Sequence, residues 1–232
     1  MITKAKISAI LFDCDGVLVD SEALGLDDSV TFLRGHGFDW SAADLVREFT
    51  GYRDDVFRTI LENAYIDIHG KKPTSALFEG LVEARRRLKD QLQMVPGADR
   101  AVNYVRDQGY ALAVASSSKQ IYLDRKLNHT GLTPFFEPHI YSAEGLKHGK
   151  PAPDIFLHAA RSIAKPAEDC LVLEDSVQGV KAGLAAGMRV WGFCGGGHCF
   201  EGHGERLENA GAHLVIDNFE EFVLAIKGLE AS

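Results

Sequence analysis

The chain has 232 residues, 46% of them apolar and 25% charged, with a formal net charge of -8. That length is ample for a buried core and allows one large domain or two modest ones, while the acidic balance argues against nucleic acid as the main partner. Four scattered cysteines make no disulfide framework, no apolar run reaches the length of a membrane span, and no signal-like apolar core follows Met1-Ile2-Thr3-Lys4-Ala5-Lys6, so a cytoplasmic protein is expected.

The first apolar run, residues 7–12, reads as a strand that ends on Asp13-Cys14-Asp15-Gly16. Residues 20–93 then read as helices: 21–34, 41–49 with Ser41 as N-cap, 54–65 and 74–92. Val95-Pro96-Gly97 closes this block. Beyond it, strands and helices alternate. Helices are expected over 98–108, 119–128, 154–162, 177–186 and 219–229, and strands over 110–115, 139–141, 170–173, 189–193 and 213–216. Residues 194–203, with Gly195-Gly196-Gly197, read as a loop. No repeat and no low-complexity tract interrupts the pattern.

Strands separated by helices imply an α/β fold with a doubly wound parallel sheet. The helical block leaves from the carboxyl edge of the first strand, so residues 1–19 and 94–232 are expected to form the α/β core and residues 20–93 an inserted helical cap over its site.

Polar signals fall at the ends of four expected strands: Asp13 and Asp15, Ser116-Ser117-Ser118, Lys150, and Glu174-Asp175. In a doubly wound sheet such ends converge on one crevice. Alone, each has a bland reading. Asp-x-Asp-Gly suits a turn, a serine run suits an N-cap, Lys150-Pro151-Ala152-Pro153 suits a loop opening a helix, and Glu174-Asp175-Ser176 suits a capped helix start. Together they fit phosphoryl transfer. A carboxylate, Asp13, can attack phosphorus and split one displacement into two. A second acid, Asp15, can serve the leaving oxygen and then the attacking water. Asp13, Glu174 and Asp175, with the backbone carbonyl of Asp15, offer hard oxygens for magnesium. Ser116, Ser117 and Lys150 offer donors and positive charge to the phosphoryl oxygens.

Asp13-Cys14-Asp15-Gly16-Val17-Leu18, Ala115-Ser116-Ser117, Gly149-Lys150-Pro151-Ala152-Pro153-Asp154 and Leu173-Glu174-Asp175-Ser176 resemble, in this order, the four motifs of the haloacid dehalogenase superfamily. The resemblance covers nearly the whole chain, including the position of the cap. It is strongest to the subgroup of β-phosphoglucomutases and sugar-phosphate phosphatases. It implies a Rossmann-like core, Asp13 as nucleophile, Asp15 as general acid/base, phosphate bound by Ser116 and Lys150, and Mg²⁺ bound by Glu174 and Asp175. The dehalogenases lack the second aspartate, so Asp15 argues against that branch. The mutases carry a cap histidine where this chain has Gly25, which favours hydrolysis of a sugar or polyol phosphate over intramolecular transfer. A phosphonatase would need an imine-forming cap lysine, for which Lys71, Lys72 and Lys89 are weak candidates, and a non-catalytic module would be expected to have lost one of the four core motifs.

Arg53, in the cap loop Thr50-Gly51-Tyr52-Arg53, is a candidate substrate ligand by the same resemblance. Arg85-Arg86-Arg87 reads instead as a solvated helix face, with Glu83 and Asp90 as i,i+4 partners. Cys194, His198, Cys199 and His203 have zinc-ligand chemistry but no familiar zinc spacing. Cys14 and Trp191 read as core. The expected partner is a small phosphorylated metabolite, with neither nucleic acid nor membrane, and nothing requires more than a monomer.

Overall fold

The computed structural model describes residues 7–86 and 88–230. An apolar strand without polar alternation is stable only when both its faces are covered. β1 (Ala9–Phe12) accordingly lies inside a six-stranded, all-parallel sheet of order β3-β2-β1-β4-β5-β6. Its companions are β2 (Ala111–Ser116), β3 (Ile140–Ser142), β4 (Cys170–Glu174), β5 (Arg189–Phe193) and β6 (Leu214–Ile216). Successive side chains of β1 point to opposite faces. Ile10 and Phe12 enter a core built with α5 (Ala98–Asp107), α6 (Gln120–His129), the single turn α7 (Thr133–Phe136) and α11 (Phe219–Glu230). Ala9 and Leu11 enter the other, built with α8 (Asp154–Ser162), α9 (Val177–Ala185) and α10 (His203–Asn209).

The chain proceeds from β1 to β2 and β3 on one side, then crosses to β4, β5 and β6 on the other. The reversal opens a crevice at the carboxyl ends of β1 and β4, where doubly wound sheets bind ligands. Register aims the motifs there: Phe12 pairs with Val114 and with Leu173, so Asp13, Ser116 and Glu174 emerge on one edge.

Between β1 and β2 lie α1 (Leu26–Arg34), α2 (Ala42–Phe49), α3 (Asp54–His69), α4 (Ser75–Arg86) and a short 3-10 turn. These helices have their own core of Leu33, Phe38, Leu45, Leu61, Leu77 and Leu81. Ser41 caps α2 as expected, in a reciprocal capping box with Asp44. Several expectations need correction. The helix expected over 74–92 ends at Arg86, with a separate 3-10 turn at Lys89–Gln91, and residues 133–136, expected to have no regular structure, form the turn α7. Residues 21–25 are turn rather than helix, because Ser21 donates its hydroxyl to Asp15 and Gly25 enters α1 at φ 69°. Residues 203–209, left without regular structure by the sequence pattern, form α10, which follows Gly202 at φ 77°. The Arg85-Arg86-Arg87 and Lys89 side chains lie outside what is described. Among the described residues no helix is long and apolar enough to cross a membrane.

Candidate active site

Asp13 follows β1 directly, and its N–H donates to Leu173 O on β4 at 3.0 Å, which fixes it at the sheet edge. Its side chain is buried, and so are Ser116, Lys150, Glu174 and Asp175. Burial at this level demands partners for every charge. Lys150 provides them: its ammonium donates to Asp13 Oδ1 at 2.5 Å and to Glu174 Oε1. These two carboxylates hold the Lys150 ammonium firmly protonated against the effect of its burial. Asp13 is pushed well up by burial, against the pull of Lys150, with Glu174, Asp175 and Asp15 adding repulsion.

Glu174 and Asp175 are set by the start of α9. Ser176 is its N-cap and accepts from Gly179 N–H at 2.9 Å. The hydroxyl and N–H of Ser176 both donate to Glu174 Oε2, at 2.9 and 2.8 Å. Gly179 makes room for this arrangement, since a Cβ there would overlap the Glu174 carboxylate. Gly16, at φ 77°, does the same for Asp175, because a Cβ would overlap its Oδ2.

Carboxylate oxygens of Asp13, Glu174 and Asp175 lie within 4.8 Å of one another. Asp175 Oδ2 is buried and accepts no aligned hydrogen bond, although His198 Nε2 is 2.8 Å away. Burial, offset in part by His198, pushes the Asp175 carboxyl up to about 7. Three clustered acids, one with an orphaned oxygen, fit a hard divalent cation.

The Asp15 side chain turns away from this triad. Its Oδ1 accepts from Ser21 Oγ and Lys126 Nζ, and its Oδ2 from Ser118 Oγ at 2.7 Å and Ser116 Oγ at 3.4 Å. Burial would raise its pKa, but the Lys126 ammonium and the serine hydroxyls drive it well below the usual carboxylate range. The metal expectation for Asp15 therefore rests on its backbone carbonyl, and its carboxylate belongs to a second cluster. Lys126 is the functional candidate that sequence reasoning missed. It sits in the third turn of α6, and only the fold of that helix over the end of β2 brings it to Asp15.

Ser117 points elsewhere than the phosphate expectation supposed, since its hydroxyl donates to Gly51 O at 3.0 Å. Gly51, at φ 87°, lies so close to the core that a Cβ would overlap Ser176. Arg53 reaches the same boundary. It donates to Leu146 O at 3.3 Å, pairs with Asp55 at 2.8 Å, and packs its Cδ over Gly149, beside Lys150.

The glycine-rich loop also belongs to this site. Gly197 N–H donates to Asp20 Oδ1 at 2.9 Å, and a Cβ on Gly196 would stand 2.7 Å from Gly16 O. Ligand atoms of His198, Cys199 and His203 lie within 4.8 Å. However, His203 Nε2–H donates to Asp175 O at 2.6 Å while its Nδ1 faces Arg206 at 2.8 Å, and burial lowers its pKa to about 4. Both ring nitrogens are committed, so the cluster reads as support behind Asp175 rather than as a zinc centre.

The family model for haloacid dehalogenase-like hydrolases matches residues 7–187. The chain belongs to that family. Among its curated relatives, hexitol phosphatase B of Escherichia coli is 30% identical over 82% of this chain and 84% of its own length. The 6-phosphogluconate phosphatase of the same organism is 27% identical over 84% of this chain and 86% of its own. A conserved haloacid dehalogenase-like protein of unknown function from Agrobacterium tumefaciens superposes with a TM-score of 0.85 at 32% identity, covering 97% of this chain and 99% of that one. Two longer Arabidopsis thaliana relatives, each 33% identical, are spanned over only 17% and 48% of their own lengths.

Proposed function

We propose that this haloacid dehalogenase-like hydrolase is a Mg²⁺-dependent phosphatase of small organic phosphomonoesters, of the sugar or polyol phosphate class, working through an aspartyl phosphate. The observation that carries the reading is the convergence of Asp13, Lys150, Glu174 and Asp175 in one buried cluster beside Asp15. The phosphatase names of the relatives support the substrate class. Residues 1–19 and 94–232 would form the catalytic core and residues 20–93 the cap.

In this reading, an Asp13 oxygen attacks phosphorus as the bond to the leaving oxygen breaks. Asp15, itself an ionised carboxylate, relays to that oxygen a proton from the Lys126 ammonium, which the proton taken from water in the second half restores. In the second half, Asp15 takes a proton from water, the water oxygen attacks the aspartyl phosphate, and Asp13 is released as carboxylate with inorganic phosphate. Lys150 and the Ser116 hydroxyl face the phosphoryl oxygens. Asp13, Glu174, Asp175 and the Asp15 carbonyl would hold Mg²⁺, which supplies charge neutralisation for the phosphoryl group and the crowded acids. Gly25, in place of a cap histidine and itself in a left-handed conformation at φ 69°, supports hydrolysis over mutase chemistry.

The test is phosphate release from a panel of monoesters with Mg²⁺ and with EDTA, for the native chain and Asp13→Asn. Metal-dependent release that the substitution abolishes, with circular dichroism unchanged, is expected. A folded Asp13→Asn protein with near-native turnover would overturn the nucleophile assignment.

A further inference from the structure

Lys150 bridges Asp13 and Glu174, and Ser176 donates twice to Glu174. Among the described residues, Asp175 is the acid of the triad that neither a lysine nor a serine holds. The one basic group that its side chain meets there is His198, whose Nε2 stands 2.8 Å from Oδ2. The His198 ring is fully buried. It fits because two glycines flank it: a Cβ on Gly16 would stand 2.7 Å from its Cε1, and a Cβ on Gly196 2.7 Å from its Nδ1. Nδ1 is buried without a hydrogen-bond partner, which leaves Nε2 as the nitrogen that carries the ring proton. Nε2 also lies 3.6 Å from Cys199 Sγ, a far weaker acceptor than a carboxylate.

The loop that carries His198 is tied down from a distance. Gly197, the residue before it, donates its N–H to Asp20 Oδ1. Asp20 is held in turn, since its own N–H donates to Gln93 O at 2.9 Å. A Cβ on Gly197 would stand 2.9 Å from Asp20 Oδ2, so this approach also needs glycine. At the other end of the loop, His203 donates to the Asp175 carbonyl and stands edge-on to His198, with ring centroids 5.3 Å apart and planes at 87°. One loop, following β5, thus contacts Asp175 at both side chain and backbone, although Asp175 itself follows β4. Three crowded carboxylates repel one another, so a polar edge beside a buried carboxylate oxygen has a large effect on where that carboxylate rests.

Building on the phosphatase reading, we propose that His198 is a positioning residue for the divalent cation: the polar edge of its ring holds Asp175 in the triad with Asp13 and Glu174, and Asp20 aims the ring by anchoring Gly197. A carboxylate that ligates a metal needs polar neighbours of its own to keep the geometry the cation demands, and removing such a neighbour weakens metal binding by about 10–100-fold.

The test is calorimetric titration of the metal-free protein with Mg²⁺, for the native chain, His198→Phe, His198→Gln and Asp20→Ala, with phosphate release measured alongside at varied Mg²⁺. His198→Phe keeps the bulk of the ring and removes its polar edge, whereas His198→Gln restores a donor. The dissociation constant does not depend on the folded fraction of a preparation, which enters only the stoichiometry. His198→Phe is expected to weaken Mg²⁺ binding by about ten-fold or more, His198→Gln to recover part of that loss, and Asp20→Ala to weaken binding in the same direction and by less. The Mg²⁺ concentration for half-maximal phosphate release should rise in step, with KM for the phosphomonoester unchanged at saturating Mg²⁺. Where the His198 variants fail to fold, Asp20→Ala, at a half-buried position, decides the outcome. Native or tighter Mg²⁺ binding in His198→Phe, or in Asp20→Ala where it decides, would overturn the inference and leave the phosphatase reading standing, as would an equal loss in His198→Phe and His198→Gln. A native chain that binds no Mg²⁺ would overturn the inference, and one that also releases phosphate from no monoester would overturn the phosphatase reading with it.

Discussion

Asp15 and Asp13 are two residues apart in sequence and have opposite electrostatic surroundings. Burial, with the neighbouring acids, pushes the Asp13 pKa up against the pull of Lys150; against its own burial, Lys126 and the serine hydroxyls hold the Asp15 pKa low. This ordering is that of the metal-free chain and is the reverse of what the two roles need: a divalent cation held by Asp13, Glu174 and Asp175 would lower the Asp13 pKa and free its carboxylate to attack, and Asp15, an ionised carboxylate, would need its proton from a neighbouring donor. Lys126 matters here because it is the cation among Asp15's donors. Lys126→Met is expected to lower kcat by about ten-fold or more with little change in KM, since general acid/base assistance is worth about 10²–10⁴ in rate. Lys126→Arg, which keeps the charge, should retain more of the rate. Steady-state kinetics on the same monoester checks both, and a Lys126→Met enzyme with native kcat would remove Lys126 from the mechanism.

At the scale of an element, α9 shows how a helix start serves a site. Glycine inside a helix ordinarily costs about 0.5–1 kcal/mol relative to alanine, so Gly179→Ala would be stabilising if helix propensity decided the outcome. The added methyl would instead overlap Glu174, whose carboxylate is tied to Lys150 and Ser176. Displacing a buried, paired carboxylate outweighs a propensity gain of that size. Gly179→Ala is therefore expected to lower the denaturation midpoint and to weaken Mg²⁺-dependent activity together. A stabilised variant with native metal dependence would show that Glu174 moves freely.

Across the whole molecule, the helices between β1 and β2 pack around a core cluster distinct from the two that flank the sheet. The inserted helices have a core of their own, and their loop touches the α/β body through Gly51 on Ser117 and Ser176 and through Arg53 on Leu146 and Gly149. Polar contacts of this kind suit the proposed role of these helices as a cap that opens and closes. Gly51 is the tightest of them, in a backbone conformation that disfavours side chains. Gly51→Ala should prop the cap away from Ser176, raising KM and slowing turnover while both cores stay folded. Kinetics together with limited proteolysis of the inserted helices reads this out, and an unchanged KM with unchanged protease resistance would deny the loop a role in closure.

The sequence by itself determined the parallel sheet, its strand ends and most of the acidic cluster, because these depend on local signals. Apolar runs such as residues 7–12 stop at the carboxylates that burial would penalise, and helix punctuation spaces them around the sheet. Cys14 and Trp191 fell to the core for the same reason, and both are buried. What lacked a local signal was missed. Lys126 looks like one more charge on an amphipathic helix until α6 packs beside β2. Ser117 looks like a phosphate donor until Gly51 comes down on it. The loop at residues 194–203 looks like glycine-rich linker or zinc ligand until Gly196 and Gly197 pack against Gly16 and Asp20. Only the tertiary structure decided these, because the energy of a buried polar group depends on partners brought together from distant parts of the chain, and no spacing along the sequence records who they are.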